Sequence, residues 1–164
     1  MPEFITRELL VLIFAVLLVI AAVWDTLSYR IPNFLSVSLL VLFPVYAWIS
    51  PISVHWSLLI SFGAFVLCAF CFIQGWMGGG DVKLLTVVAL WAGPDEVMAT
   101  FFVTGLAGGV LALMMKTPVR GMFGLAAGSP SETLSSPAGI VLPYGIAIAC
   151  GGLFLAWRLT GAAF

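Results

Sequence analysis

From Leu9 to Trp24 the chain runs without a charged residue, and further long apolar runs follow along its length. About 20 such residues in a helix cross the hydrocarbon core of a bilayer. There the backbone must satisfy its own hydrogen bonds, which only helices and closed barrels achieve. Barrel strands are short and alternate in polarity, whereas these runs are continuously apolar. The pattern therefore predicts an all-α polytopic membrane protein. Composition agrees: with 63% hydrophobic and 8% charged residues, a soluble domain could not cover its surface.

Punctuation divides the runs into six transmembrane helices, at about 9–24, 34–49, 56–73, 82–93, 97–115 and 139–157, within one membrane-embedded domain over 1–164. Pro32 cannot sit inside a helix and Asn33 is a good N-cap, so the second span begins near Phe34. Gln74 to Gly80 forms a glycine-rich turn, and Pro94-Asp95-Glu96 separates the fourth span from the fifth. Lys116 to Ala138, rich in Gly, Ser and Pro, reads as a flexible loop. The N-terminus carries Glu3 and Glu8 beside Arg7, so it lacks the positive region of a signal peptide and the first span is retained.

Lys and Arg set the orientation. Arg30, Lys83, Lys116 and Arg120 fall on one side, and Arg7 and Arg158 on the other with Glu3, Glu8, Asp95 and Glu96. The turns after spans one, three and five are therefore expected in the cytoplasm and both termini outside. A formal net charge of −1 with scattered basic residues excludes nucleic acid as a partner. Cys68 and Cys71 form a CxxC buried in an apolar run, and Cys150 is similarly embedded. A zinc site wants about four ligands, and His55 lies in a different turn, so neither a metal nor another cofactor is expected.

Two carboxylates stand out against this background. Asp25 ends the first apolar run, and Asp81 closes the string Gly78-Gly79-Gly80-Asp81. A charged side chain at membrane depth is costly, which makes it a functional-site hypothesis by default. Spans two and three lie between the two residues, and an even number of crossings returns the chain to the same side. Both are thus expected at the cytoplasmic face, slightly below the lipid surface. Two close carboxyls in a poorly solvated site share one proton. The ionised member can take a proton from water attacking an amide carbonyl while the neutral one serves the carbonyl oxygen. The glycines are expected to supply positive φ and room for an extended substrate backbone, or simply an interhelical turn.

These residues resemble the type IV prepilin peptidase family, membrane aspartic proteases with a Gly-x-Gly-Asp motif. The likeness rests on Asp25 with Arg30-Ile31-Pro32-Asn33, on Gly78 to Leu84, and on Leu142-Pro143-Tyr144-Gly145-Ile146-Ala147. It implies that Asp25 and Asp81 form the catalytic pair. It implies cleavage of the short basic leader of prepilins or pseudopilins, typically after a glycine, at the cytoplasmic membrane edge. The pilus assembly machinery would be a further partner. The large insert with paired CxxC motifs found in many methylating members is missing, which argues against N-methyltransferase activity. The chain is closer to the short form that serves tight-adherence (Flp-type) pili; archaeal preflagellin peptidases share the same core and are an alternative.

Supporting roles attach to Gly78, Gly80, Arg30, Lys83, Pro32, Asn33, Pro143, Tyr144 and Gly145. Arg30 and Lys83 could favour an ionised aspartate or hold the leader's exit path, or could be positive-inside interfacial residues. Pro143-Tyr144-Gly145 could loosen the last helix or simply kink it. Gly105 to Gly109 fits small-xxx-small helix packing. Two other classes compete with the peptidase: a small proton-coupled transporter, and a non-catalytic assembly subunit whose aspartates only fix helix packing.

Overall fold

The apolar runs condense into five helices in a computed structural model that describes residues 2–28, 30–116 and 144–161. These are α1 (Pro2–Ser28), α2 (Asn33–Ile49), α3 (Val54–Ile73), α4 (Gly79–Lys116) and α5 (Tyr144–Gly161). Among the described residues four, Ile5–Ser28, Val54–Ile73, Gly79–Met114 and Tyr144–Gly161, are long and apolar enough to cross a membrane. The 17-residue α2 is apolar but shorter. Large apolar side chains such as Trp48, Phe62, Leu67 and Phe102 stand exposed on the outside, as a lipid-facing surface requires.

Six separate spans are not what forms. The expected fourth and fifth spans belong to one element, α4, because the chain needs no loop between them. Gly93 alone leaves helical geometry, at φ 59° and ψ −167°. Pro94 follows as the first residue of the next turn, where its missing N–H costs nothing. A side chain at Gly93 would be strained in this backbone, and its Cβ would meet Ser57 Oγ at 3.0 Å.

The bend at Gly93 is a reversal. Leu85 and Gly108 line the same cleft, although in a straight helix they would stand about 35 Å apart. The second arm also runs antiparallel to α5. Glu96 at its start pairs with Arg158 near the end of α5, while Gly108 abuts Ala147 and Tyr144 at the beginning of α5. The sixth predicted span starts in part outside the described residues, as does the expected loop; its remainder is α5.

The core forms where the first arm of α4 meets α1 and α2. Trp91 is sandwiched between Phe14 at 4.5 Å and Tyr46 at 4.7 Å, with Phe43 edge-on at 6.1 Å. Its indole N–H donates to the Leu39 carbonyl at 3.0 Å, so the polar edge of the ring is satisfied inside the core. Helix α5 closes the bundle because it is small where it must be. A side chain at Gly151 would strike Thr104 and one at Gly152 would strike Leu18.

One end of the bundle is tied by charge. Arg158 forks onto Glu96, with Nη2–Oε1 at 2.8 Å and Nε–Oε2 at 3.1 Å. Arg7 Nη2 donates to the Leu159 carbonyl at 3.1 Å, satisfying an orphan acceptor at the end of α5. Along α1 that end lies about 27 Å from Asp25, close to the thickness of a hydrocarbon core. The aspartates occupy the other end.

Candidate active site

Helix α1 runs on past the expected end of the first span at Trp24 to Ser28, so Asp25 sits inside its closing turns. Thr26 stays helical by donating its hydroxyl to the Ala22 carbonyl at 2.7 Å. A carboxylate near a helix C-terminus opposes the helix dipole, so α1 gives Asp25 no local support. Support comes from α5, whose N-terminus points at it. The Gly145 amide donates to Asp25 Oδ2 at 2.8 Å, which is the usual way a helix start receives an anion. Only glycine allows that approach: a Cβ at Gly145 would lie 2.8 Å from both Cβ and Oδ2 of Asp25.

Asp81 is held by its own neighbourhood. It lies in the first turn of α4, where an acid favours the dipole. The Gly78 amide donates to its Oδ2 at 3.2 Å, one half of a capping box. A Cβ at Gly78 would come within 2.9 Å of that oxygen. Positive φ, expected within Gly78 to Gly80, falls elsewhere: among the described residues the glycines with positive φ are Gly75 at 73° and Gly93 at 59°. Gly75 turns the chain, and Gly78 and Gly80 serve by their lack of bulk, whereas a Cβ at Gly79 would meet Phe72 only in ordinary contact at 3.5 Å.

Gly80 makes that clear. A Cβ there would sit 3.1 Å from the Ile31 Cβ and 3.4 Å from the Ile31 backbone N and O. The start of α4 therefore slides directly along the segment joining α1 to α2, and this contact draws the two aspartate-bearing stretches together. Both carboxyls end up buried, at 5% exposure for Asp25 and 8% for Asp81, and the charge of Asp25 acts on Asp81. Each has one oxygen bound to a backbone amide. Among the described residues the other oxygen of each has no hydrogen-bond partner. Each carboxyl thus keeps one oxygen atom available to accept a further hydrogen bond.

The remaining predicted residues fall around this pair in a different way from that expected. Asn33 does not cap α2. Pro32 takes the cap position without a side-chain bond, and the Asn33 Oδ1 instead accepts from Lys83 Nζ at 2.9 Å. Lys83 is thus tied to α2, where it lines a cleft with Ser36 and Phe65. Arg30 is exposed in the connection before α2. Tyr144 is half-buried at the start of α5, and Pro143 lies outside the described residues. Among the described residues no three His, Cys, Asp or Glu side chains gather as metal ligands would.

Ile31 was missed as a contributor. It stands in the Arg30-Ile31-Pro32-Asn33 stretch already quoted, an apolar residue between Arg30 and Pro32. Gly105 and Gly109 also differ from their packing role, since a Cβ at either would meet nothing within 4 Å.

The sequence model of the type IV leader peptidase family matches residues 12–113, which spans both aspartates and the glycines before Asp81. The chain belongs to that family. No curated protein and no solved structure matches it.

Proposed function

We propose that this member of the type IV leader peptidase family is a membrane aspartic endopeptidase with Asp25 and Asp81 as its catalytic pair. Its substrates are prepilin-like precursors, whose short N-terminal leader it removes at the cytoplasmic face of the inner membrane. One observation carries the reading. Two buried carboxyls from distant parts of the chain reach the same end of the bundle, each gripped by a backbone amide. A carboxylate kept only for packing would need no acidic neighbour, and like charges at close range are costly.

The chemistry is hydrolysis with one proton shared by the pair. The ionised carboxyl removes a proton from water as the water oxygen bonds to the scissile carbonyl carbon. The protonated carboxyl gives its proton to the carbonyl oxygen, and a tetrahedral diol forms. As the diol collapses, one of its hydroxyls returns a proton to the carboxyl that had given one up, the C–N bond breaks, and the proton taken from water passes to the departing nitrogen. A leader carboxylate and a new N-terminus result. The pair acts as a unit, so neither residue is permanently acid or base.

The distribution of Lys and Arg supports placing the aspartates towards the cytoplasm and both termini outside. The missing insert fits a peptidase without methyltransferase activity, serving a pilus assembly machinery of the tight-adherence kind. The test is co-expression with a prepilin. Asp25→Asn and Asp81→Asn should each give a folded protein that leaves the precursor full length, and normal shortening by either variant would refute the assignment.

A further inference from the structure

A cleft of about 470 Å³ lies among α2, α3 and the first arm of α4. Helix α4 lines it with Lys83, Thr86 and Val87, which stand about 140–240° around the helix from Asp81. The cleft is therefore on the other side of α4, and a peptide laid across the aspartates would have to pass around that helix to reach it. Val37, Leu40 and Phe65 in its walls are each about half exposed, so it opens outward to the lipid. Polarity changes along its length. Asn33, Ser36 and Lys83 stand at the aspartate end, and Val37, Leu40, Phe65 and Val87 form apolar walls below them. From Asn33 to Leu40 is about 10 Å of helix, a large part of one leaflet's half of a roughly 30 Å core.

The hydroxyls of the lower part are already committed. Ser61 Oγ donates to the Thr86 carbonyl at 3.0 Å, and Thr86 Oγ1 to the Val82 carbonyl at 2.7 Å. The groups left over lie at the polar end, and all can donate. Lys83 spends one of its three N–H groups on Asn33 Oδ1, which leaves two of them and the Asn33 amide NH₂. Ser36 is only 6% exposed. Its hydroxyl has no hydrogen-bond partner among the described residues and is not sealed off, so it faces the cleft. Helix α2 also starts here without a side-chain cap, which adds the positive end of its dipole. Among the described residues no acid lines the cleft. We infer that it binds an anionic phospholipid of the surrounding membrane, with the phosphate at Lys83, Asn33 and Ser36 and an acyl chain along the apolar walls.

Charge and position select that occupant. A phosphate diester brings the acceptor oxygens and the negative charge that these donors want, as headgroups do in basic pockets between membrane helices. A zwitterionic lipid would add an ammonium group, for which the cleft offers no carboxylate. A basic leader would meet Lys83 as a like charge, and free phosphate would leave the apolar walls unfilled. The site stands whatever chemistry Asp25 and Asp81 perform.

The test is thermal unfolding of the full chain in detergent, titrated with three probes: dioleoyl phosphatidylglycerol, dioleoyl phosphatidylcholine with the same chains, and inorganic phosphate. A ligand of the folded state raises Tm by mass action, so each titration yields an affinity. Phosphatidylglycerol should bind about tenfold more tightly than phosphatidylcholine, the worth of one charge-assisted hydrogen bond. Phosphate should leave Tm unchanged at the same concentration. Lys83→Met should bring phosphatidylglycerol down to the level of phosphatidylcholine, and Ser36→Ala should reduce the preference by about threefold. Arg30→Met, which removes an exposed charge outside the cleft, should keep the full preference. Equal affinity for the two lipids in the parent, a preference that survives Lys83→Met and Ser36→Ala, or its equal loss in Arg30→Met would overturn the inference. So would protection by phosphate equal to that by phosphatidylglycerol, the mark of a plain anion site. Displacement of the lipid by a leader peptide in the Asp81→Asn protein would overturn it too, by giving the cleft to a substrate.

Discussion

Asp25 and Asp81 are the same residue type at the same end of one bundle, yet they are held by opposite means. Asp81 sits at a helix start, where its own first turn supplies an amide and the dipole welcomes its charge. Asp25 sits at a helix end, where the local dipole opposes it, and its amide comes from a residue 120 positions away. One carboxyl is therefore placed by local sequence and the other by the docking of α5. The lesson is that half of the pair exists only once the last helix has packed. Losing the α5 contact should loosen Asp25 and spare Asp81.

Removing either carboxyl gives the largest effect. Asp25→Asn and Asp81→Asn should lower leader removal by about 10³-fold, within the span of acid–base contributions, as read by initial rates on purified protein. The double variant should be no worse than either single one, because residues acting as a unit are not additive. A double variant slower than both by the product of their effects would separate the two roles.

Next comes the pair of amide-bearing glycines, which tests the comparison directly. Gly145→Ala forces a methyl group against Asp25 and should cost about 1–3 kcal/mol as overpacking. It should also cut the cleavage rate by up to about 10²-fold through misplacement. Gly78→Ala meets only the tip of the Asp81 side chain, which can turn aside, so it should cost under about 1 kcal/mol. Thermal unfolding in detergent together with cleavage rates would show this order, and a reversed order would break the distinction between local and distant support.

Gly93→Ala acts on the framework of both residues. Its backbone strain should cost about 1–3 kcal/mol, seen as lowered thermal stability with the two aspartates affected alike. The smallest effect is expected at the contact between Lys83 and Asn33. It is an exposed hydrogen bond, so Lys83→Met should change stability by at most about 1 kcal/mol. A large loss of cleavage in that variant, with stability kept, would move Lys83 into contact with the substrate.

Much of the site was legible in sequence because the signals were local or topological. Asp81 closes a glycine string at a helix start, and the even number of helices between the two aspartates fixes their common end. The glycines before Asp81 were read for backbone freedom, but Gly78 and Gly80 matter for the space they leave against Asp81 and Ile31. That difference cannot be read along the chain, since glycine answers both needs. Asn33 likewise satisfies the pattern of an N-cap, and only the arrival of Lys83 from α4 gives its side chain another partner.

Sequence alone determined that the long uncharged runs of this chain are helices, because they leave the backbone no other way to satisfy itself in lipid. It also determined which two acids stand apart from the rest. Tertiary structure alone decided that two expected spans join through a single glycine, that α5 lends an amide to Asp25, and that Gly105 and Gly109 face a cleft instead of a neighbouring helix. The reason is physical: hydrophobic runs and charge placement are properties of the chain, whereas a close approach is a property of two surfaces that meet only after folding.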